Sequence, residues 1–180
     1  MSLENVHVMV VEDTMTQAMM IQHVLEKEKI QVTVARSGEK ALKALADLEQ
    51  GPDLVLCDVN MPGMSGYELC KKMKGDANLQ KIPFVLLSTL VDSADLLPVI
   101  QCGADNFIYK TFEGEYFIQR LSSIWASRHL EKQEVGEKSS SAVILNGQQH
   151  QIEATNQRLA NILVSAFETA VFHNRTHKTG

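Results

Sequence analysis

No apolar run in this chain approaches the roughly 20 residues that a helix needs to cross a bilayer. No basic segment leads into a shorter apolar stretch in the manner of a secretory leader, so a soluble cytoplasmic protein is expected. Cysteine is scarce and odd in number. Cys57, Cys70 and Cys102 stand far apart, in or beside apolar runs and without a Cys-x-x-Cys pair, which reads as reduced packing residues and not as a disulfide framework. Positive charge is short as well: Lys+Arg 17 against Asp+Glu 22 leaves a net −5. A general basic field that would hold nucleic acid or an anionic membrane is therefore excluded. The 6 histidines show no metal-ligand spacing within one element, and neither an internal repeat nor a low-complexity tract is evident.

What is present suits a globular core. At 180 residues with 44% hydrophobic and 22% charged residues, the chain has room for one domain of usual size and an appendage. The opening Met1-Ser2-Leu3 is given no structural weight. Val6 to Val11 is a β-branched run ending in two carboxylates, followed by Ala18, Ile21, Val24 and Leu25 at helical spacing. The unit recurs: Val32 to Ala35, then Ser37 as an N-cap before Ala41, Leu42, Leu45 and Leu48, closed by Gly51-Pro52. Asp53 to Asp58 is a third strand, followed by a Gly/Pro/Ser loop and a short helix around Tyr67 to Met73. Phe84 to Ser88 is a fourth strand, and Asp92 or Ser93 caps a helix that stops at Gly103. Pro98 lies inside that helix and should kink it or delay its start. Phe107 to Tyr109 is a fifth strand, and Gly114 to Glu131 carries Phe117, Leu121, Ile124 and Trp125 on one helical face.

Strands that are continuous and apolar, interleaved with helices, predict a parallel sheet covered on both faces: a doubly wound α/β domain over residues 4–131. Ligands of such folds sit outside the carboxyl ends of the strands. Glu12, Asp13, Asp58, Ser88 and Thr89 fall at such ends. Glu12, Asp13 and Asp58 would converge there, and like charges about 4 Å apart at an effective dielectric of about 20 repel by about 4 kcal/mol per pair. Protonation or a cation is then required, and a hard divalent ion with oxygen ligands is the simple answer. Lys110 ends the fifth strand and Thr89 the fourth, so an ammonium and a hydroxyl can face the same anion. A carboxylate nucleophile at Asp58 can thus take a phosphoryl group, with metal and Lys110 neutralising its oxygens and Thr89 donating a hydrogen bond.

Glu12-Asp13 after the first strand, Asp58 to Gly66 (DVNMPGMSG) after the third, Ser88-Thr89 after the fourth, and Gly103-Ala104-Asp105 leading to Lys110 together resemble the response-regulator receiver family. The resemblance implies a flavodoxin-like five-stranded parallel sheet and a Mg²⁺- or Mn²⁺-dependent two-component switch, phosphorylated by a sensor histidine kinase or a phosphotransfer protein. It makes Asp58 the phosphoacceptor, gives Glu12, Asp13, Asp58 and the main-chain carbonyl of Asn60 to the metal, and sets Lys110 against the phosphoryl group. Thr89 and Phe107 match the hydroxyl and aromatic switch positions. Taken singly, Thr89 is a strand-end hydroxyl and Phe107 a core residue; their register with Asp58 and Lys110 raises them. The chain departs from the family pattern at Thr111, where a proline usually follows the lysine, and at Leu90, where a small residue usually follows the switch hydroxyl. Met15, Met19 and Met20 are read as packing residues before a soft docking face.

Residues 132–141 turn charged and small and read as a linker. Over residues 142–180, Asn146-Gly147 marks a β-hairpin and Thr155 or Asn156 caps a helix with Leu159, Ile162, Leu163, Ala166, Phe167, Ala170 and Val171 in one stripe. This tail is similar to the connector that follows some receivers before the sensory or kinase domains of hybrid histidine kinases. Leu159, Ile162, Leu163, Ala166 and Ala170 offer a seam for a homodimer, with packing onto the chain's own receiver as the alternative. Two other functions are weighed. A Mg²⁺-dependent phosphatase usually carries its nucleophilic aspartate directly after the first strand with a second acid two residues on, a spacing that Glu12-Asp13-Thr14-Met15 lacks. A transcription factor would need a basic recognition helix after residue 131, and none is legible. An enzyme in the usual sense is not expected.

Overall fold

The computed structural model describes residues 3–47, 50–89, 96–110, 113–131, 139–145 and 148–176. Their elements run β1 (His7–Val11), α1 (Met15–Lys27), β2 (Gln31–Ala35), α2 (Gly38–Asp47), β3 (Leu54–Asp58), α3 (Gly66–Gly75), β4 (Phe84–Ser88), α4 (Leu96–Cys102), β5 (Asn106–Tyr109), α5 (Gly114–Glu131), β6 (Ser139–Leu145), β7 (Gln148–Ala154) and α6 (Asn156–Thr176). The first five strands form one sheet in the order β2-β1-β3-β4-β5, every pair parallel. This is the flavodoxin-like doubly wound order, whose switch point lies between β1 and β3.

The continuous apolar strands serve two cores because alternate side chains leave opposite faces. Met9, Val11, Val55 and Cys57 join Ala41, Leu45, Leu69, Met73 and Val99 on the side of α2, α3 and α4. Val8, Val10, Leu54 and Leu56 join Leu25, Phe117, Leu121 and Trp125 on the side of α1 and α5. Phe84, Leu86, Leu69 and Leu121 are fully buried, and each such side chain contributes about 1.5–3 kcal/mol relative to exposure. Leu3, which sequence reading set aside, is buried in the second core with Val6 and Ile30.

Helix ends follow local chemistry. Ser65 caps α3 in a capping box, its hydroxyl accepting from the Glu68 N–H while the Glu68 carboxylate accepts from the Ser65 N–H. Gly103, at φ 90°, closes α4 in the left-handed conformation. Pro98 is the third described residue of α4, and the helix start that would decide between a kink and a later beginning lies outside the described residues. The caps expected at Asp92 or Ser93 lie outside the described residues. Met15, Met19 and Met20 correct the packing expectation. All three are exposed, because α1 turns Ala18 and Leu25 to the sheet and the methionines to the other side.

The tail forms the expected hairpin and helix, with β6 antiparallel to β7; its Asn146-Gly147 turn lies outside the described residues. β6 already begins at Ser139, within the stretch expected as linker, where Ser139, Ser140 and Ser141 pair with Ala154, Glu153 and Ile152. The helix α6 packs on its own receiver sheet, on the side of β5 and α4. Ile162 is 1% exposed within the core that also holds Phe107 and Val99. The seam read for a homodimer is therefore split: Ile162 and Ala166 pack against the receiver core, while Leu163 points outward at 65% exposure.

Candidate functional site

Two strand ends, those of β1 and β3, bring the acidic residues together. The register pairs Val11 with Cys57 across β1 and β3, so the residues one step further along, Glu12 and Asp58, emerge side by side. One oxygen from each of Glu12, Asp13 and Asp58 lies within 4.8 Å of the others. Glu12 is fully buried and Asp58 is 8% exposed. Burial strengthens the repulsion, and the chain meets it with Lys110. The Lys110 Nζ lies 2.7 Å from Glu12 Oε2 and 2.8 Å from Asp58 Oδ2. Its third hydrogen goes to Gln17 Oε1 at 2.9 Å, which completes the donors of an ammonium.

Main-chain bonds fix the loops around this cluster. Glu12 Oε1 accepts from the Thr14 N–H at 3.1 Å, Asp58 Oδ1 accepts from the Asn60 N–H at 3.3 Å, and the Lys110 N–H donates to the Ser88 carbonyl at 2.7 Å. Gly66 allows α3 to begin against β3: a Cβ there would stand 2.2 Å from the Asp58 carbonyl oxygen. Cys57, directly before Asp58, is buried, and burial together with the Asp58 and Glu12 charges pushes its thiol well above the ordinary range. It stays a neutral packing group at physiological pH.

Asp105, in the Gly103-Ala104-Asp105 stretch, lies away from the carboxylates. Its Oδ2 accepts from the Phe84 N–H and from Lys74 Nζ, both at 2.6 Å, which pins the start of β4 and so carries the strand to Ser88 and Thr89. Thr89 is exposed at the end of β4. With Lys110 and Gln17 it lines a cavity of about 110 Å³ between α1, α5 and the ends of β4 and β5. Phe107 is buried in the core on the α4 side. Asn60 is exposed in the loop after β3. Leu90 and Thr111, the two departures, lie outside the described residues.

Sequence reading missed two contributors. Arg36 follows β2 and donates from Nε to the Glu12 carbonyl at 3.0 Å and from Nη2 to the Asp13 carbonyl, clamping the acidic loop by its backbone. Its place next to β1 follows from strand order, which no local pattern revealed. Gln17 sits one turn along α1 from Asp13, and helical spacing alone could have drawn attention to it.

Chemically, three carboxylates facing one ammonium leave two negative charges uncompensated. All donors are oxygens, an arrangement that fits a small hard divalent cation with room for water and phosphate oxygens. A buried carboxylate beside such a cation and an ammonium is competent to attack phosphorus.

The response regulator receiver domain family matches residues 8–122. Among curated relatives, the DNA-binding response regulator MtrA of Mycobacterium tuberculosis is 33% identical over 114 residues, which covers 63% of this chain and 48% of MtrA. The chain thus spans about half the length of the curated relatives it matches. Among solved structures, the signal receiver domain of a signal transduction histidine kinase from Syntrophus aciditrophicus is 36% identical at TM-score 0.60, covering 67% of this chain and 90% of that one. A putative response regulator from Chloroflexus aurantiacus is 30% identical at TM-score 0.63, covering 68% and 99%.

Proposed function

This chain belongs to the response regulator receiver family, and we propose that it is a phosphorelay switch in which Asp58 accepts a phosphoryl group from the phosphohistidine of a sensor histidine kinase or phosphotransfer protein. The observation that carries this reading is the Asp58 carboxylate held 2.8 Å from Lys110 Nζ, with Glu12 and Asp13 oxygens within 4.8 Å. Asp58 attacks phosphorus, the bond from phosphorus to the donor's imidazole nitrogen breaks, and its electron pair stays on that nitrogen. The product is an acyl phosphate on Asp58. Lys110 moves its ammonium from the carboxylates onto the incoming phosphoryl oxygens, which supplies charge stabilisation where the transition state develops it. Thr89 donates its hydroxyl to the same group. A Mg²⁺ or Mn²⁺ held by Glu12, Asp13, Asp58 and the main-chain carbonyl of Asn60 would neutralise the remaining charge and orient the donor. The switch then runs through Thr89 and Phe107 to the face formed by α4 and β5.

The proposal assigns residues 4–131 to the receiver unit and the following hairpin and helix to its connector. Among the described residues no helix is long and apolar enough to cross a membrane, and a cytoplasmic setting is part of the proposal. A net charge of −5 speaks against nucleic acid as a partner of this chain. A homodimer through α6 would bury Leu163, Val164 and Phe167, the outward apolar residues.

Incubation with acetyl phosphate and Mg²⁺, followed by intact-mass measurement, tests the reading. One phosphoryl mass is expected on the native chain and none on Asp58→Asn. Equal gain by both proteins, or gain in EDTA, would sink it.

A further inference from the structure

Helix α6 turns two polar residues inward beside Ile162 and Ala166. Ser165 is 1% and Thr169 4% exposed, whereas Phe167 is 70% exposed. The inward residues meet the receiver at a built polar joint. Ser165 Oγ donates to Asn106 Oδ1, which also accepts from the Phe107 N–H at 2.8 Å. Arg120 of α5 donates from Nη2 to Ser165 Oγ at 2.7 Å and pairs through Nη1 with Glu168. Arg158 donates from Nη2 to the Ile100 carbonyl of α4. Ile162 closes the joint from the apolar side, in the cluster that holds Phe107. One helix thus grips α4, α5 and β5, the edge strand of the sheet.

We propose that α6 is an intramolecular latch over the face formed by α4, β5 and α5, closed in the unphosphorylated chain and loosened when Asp58 is phosphorylated. The regulation rests on the phosphoacceptor reading above. The physical link is β5. Asn106 and Phe107 anchor the latch at one end of the strand, and Lys110, which follows its other end, is held by Asp58 and Glu12. A phosphoryl group that draws Lys110 and Thr89 toward itself pulls on the strand whose start carries the joint. The polar part of the joint opens at little net cost, because Ser165, Thr169, Asn106 and Arg120 recover hydrogen bonds from water when exposed. That leaves Ile162 and Ala166 as the apolar contacts that hold the latch closed. The fit is also imperfect, since Arg158 Nε is buried with no hydrogen-bond partner among the described residues. A closed latch covers the receiver face that the switch reshapes. Coupling is reciprocal by linkage, so an opened latch must favour phosphorylation.

Hydrogen exchange on the full chain, read on peptides covering residues 156–171 with and without acetyl phosphate and Mg²⁺, tests the latch, with intact mass reporting Asp58 occupancy. Amide protection in α6 should fall about tenfold or more on phosphorylation, within the range usual for coupled sites. Ser165→Ala, which leaves the apolar clusters untouched, should loosen α6 without phosphorylation and raise the phosphorylation rate several-fold, about 5-fold on the same scale. Full phosphorylation with unchanged or increased protection of α6 would overturn the latch and leave the phosphoacceptor reading standing. So would a Ser165→Ala chain that exchanges and phosphorylates as the native one does. No mass gain on the native chain would fail the phosphoacceptor reading itself, and the coupling with it.

Discussion

Lys110 and Glu12, 98 residues apart along the chain, meet at 2.7 Å, and the same ammonium reaches Asp58 at 2.8 Å. The lysine is therefore a structural counter-charge before any phosphoryl group arrives. It holds a fully buried carboxylate that would otherwise stand beside two others. Any reaction that recruits Lys110 must supply a replacement for it.

That replacement can be measured. In EDTA, Lys110→Ala leaves Glu12 buried without its cation, and unpairing a buried charge costs about 3–5 kcal/mol. Calorimetry should show a much lower Tm in EDTA, recovered in large part by millimolar Mg²⁺. Equal melting of both proteins in EDTA would show that the ion pair contributes nothing.

Asp13→Asn tests the acidic cluster from the other side. Asp13 is only partly buried, and no ion pair to it is among those described, so its loss relieves repulsion in the metal-free chain. Tm in EDTA should hold or rise, while Mg²⁺ binding by titration calorimetry and phosphorylation by acetyl phosphate should fall together, about tenfold or more. A lower Tm in EDTA would count against the cluster as a repulsive cation site.

Much of this site was legible before any coordinates. Glu12, Asp13, Asp58, Thr89 and Lys110 each follow a continuous apolar run, and a parallel sheet collects strand ends on one side. What stayed hidden depends on neighbours in space. Arg36 clamps the Glu12 and Asp13 carbonyls only because β2 lies beside β1. Met15, Met19 and Met20 share helical spacing with packing residues, and the sheet's position decided which side of α1 was buried. In the tail, the stripe that includes Leu163 and Phe167 offered a seam for a second copy or a face for the receiver, yet Arg120 and Asn106 on the receiver select the Ser165 side, with Ile162 and Ala166 beside it. Hydrophobic periodicity carries no record of that polar complement.

Gly66→Ala should be costly. The added Cβ would stand 2.2 Å from the Asp58 carbonyl oxygen, and the obstacle is backbone at the end of β3, which cannot rotate away. Destabilisation of about 1–3 kcal/mol is expected from overpacking, with slower phosphorylation because Asp58 itself is displaced. Urea denaturation would check it, and a loss under 0.5 kcal/mol, the range of ordinary surface changes, would mean that the contact relaxes freely.

Acid should weaken the start of α3. The Ser65 N–H and hydroxyl both donate to the Glu68 carboxylate and hold it below its ordinary value of 4.5. A carboxylate depressed on folding adds stability that is fully present above its unfolded value and is lost as pH falls through the folded one. Glu68→Gln should therefore lower stability near pH 7 and lose that difference as pH falls below the ordinary carboxylate value and through the depressed one, where the native residue becomes protonated too. Melting curves from pH 7 to pH 3 would show the two proteins converging; parallel curves would show that the carboxylate plays no part.

The orientation of α6 separates two residues only five positions apart. Ile162 is 1% exposed in the receiver core and Phe167 is 70% exposed. If α6 rests on its own receiver, Ile162→Ala should cost about 2–5 kcal/mol, the usual range for a large-to-small change in a core. Phe167→Ala should then lie within about 0.5 kcal/mol, as surface changes do. A dimer joined through the outward face reverses the weight of the second substitution, since Phe167 would then be buried between chains. Its loss would lower Tm in a concentration-dependent way, and light scattering would register a shift toward the monomer. Melting each variant at micromolar and at hundred-micromolar chain concentration, with light scattering at the higher one, distinguishes these cases. Equal tolerance of both substitutions would mean that α6 is not docked on the receiver at all.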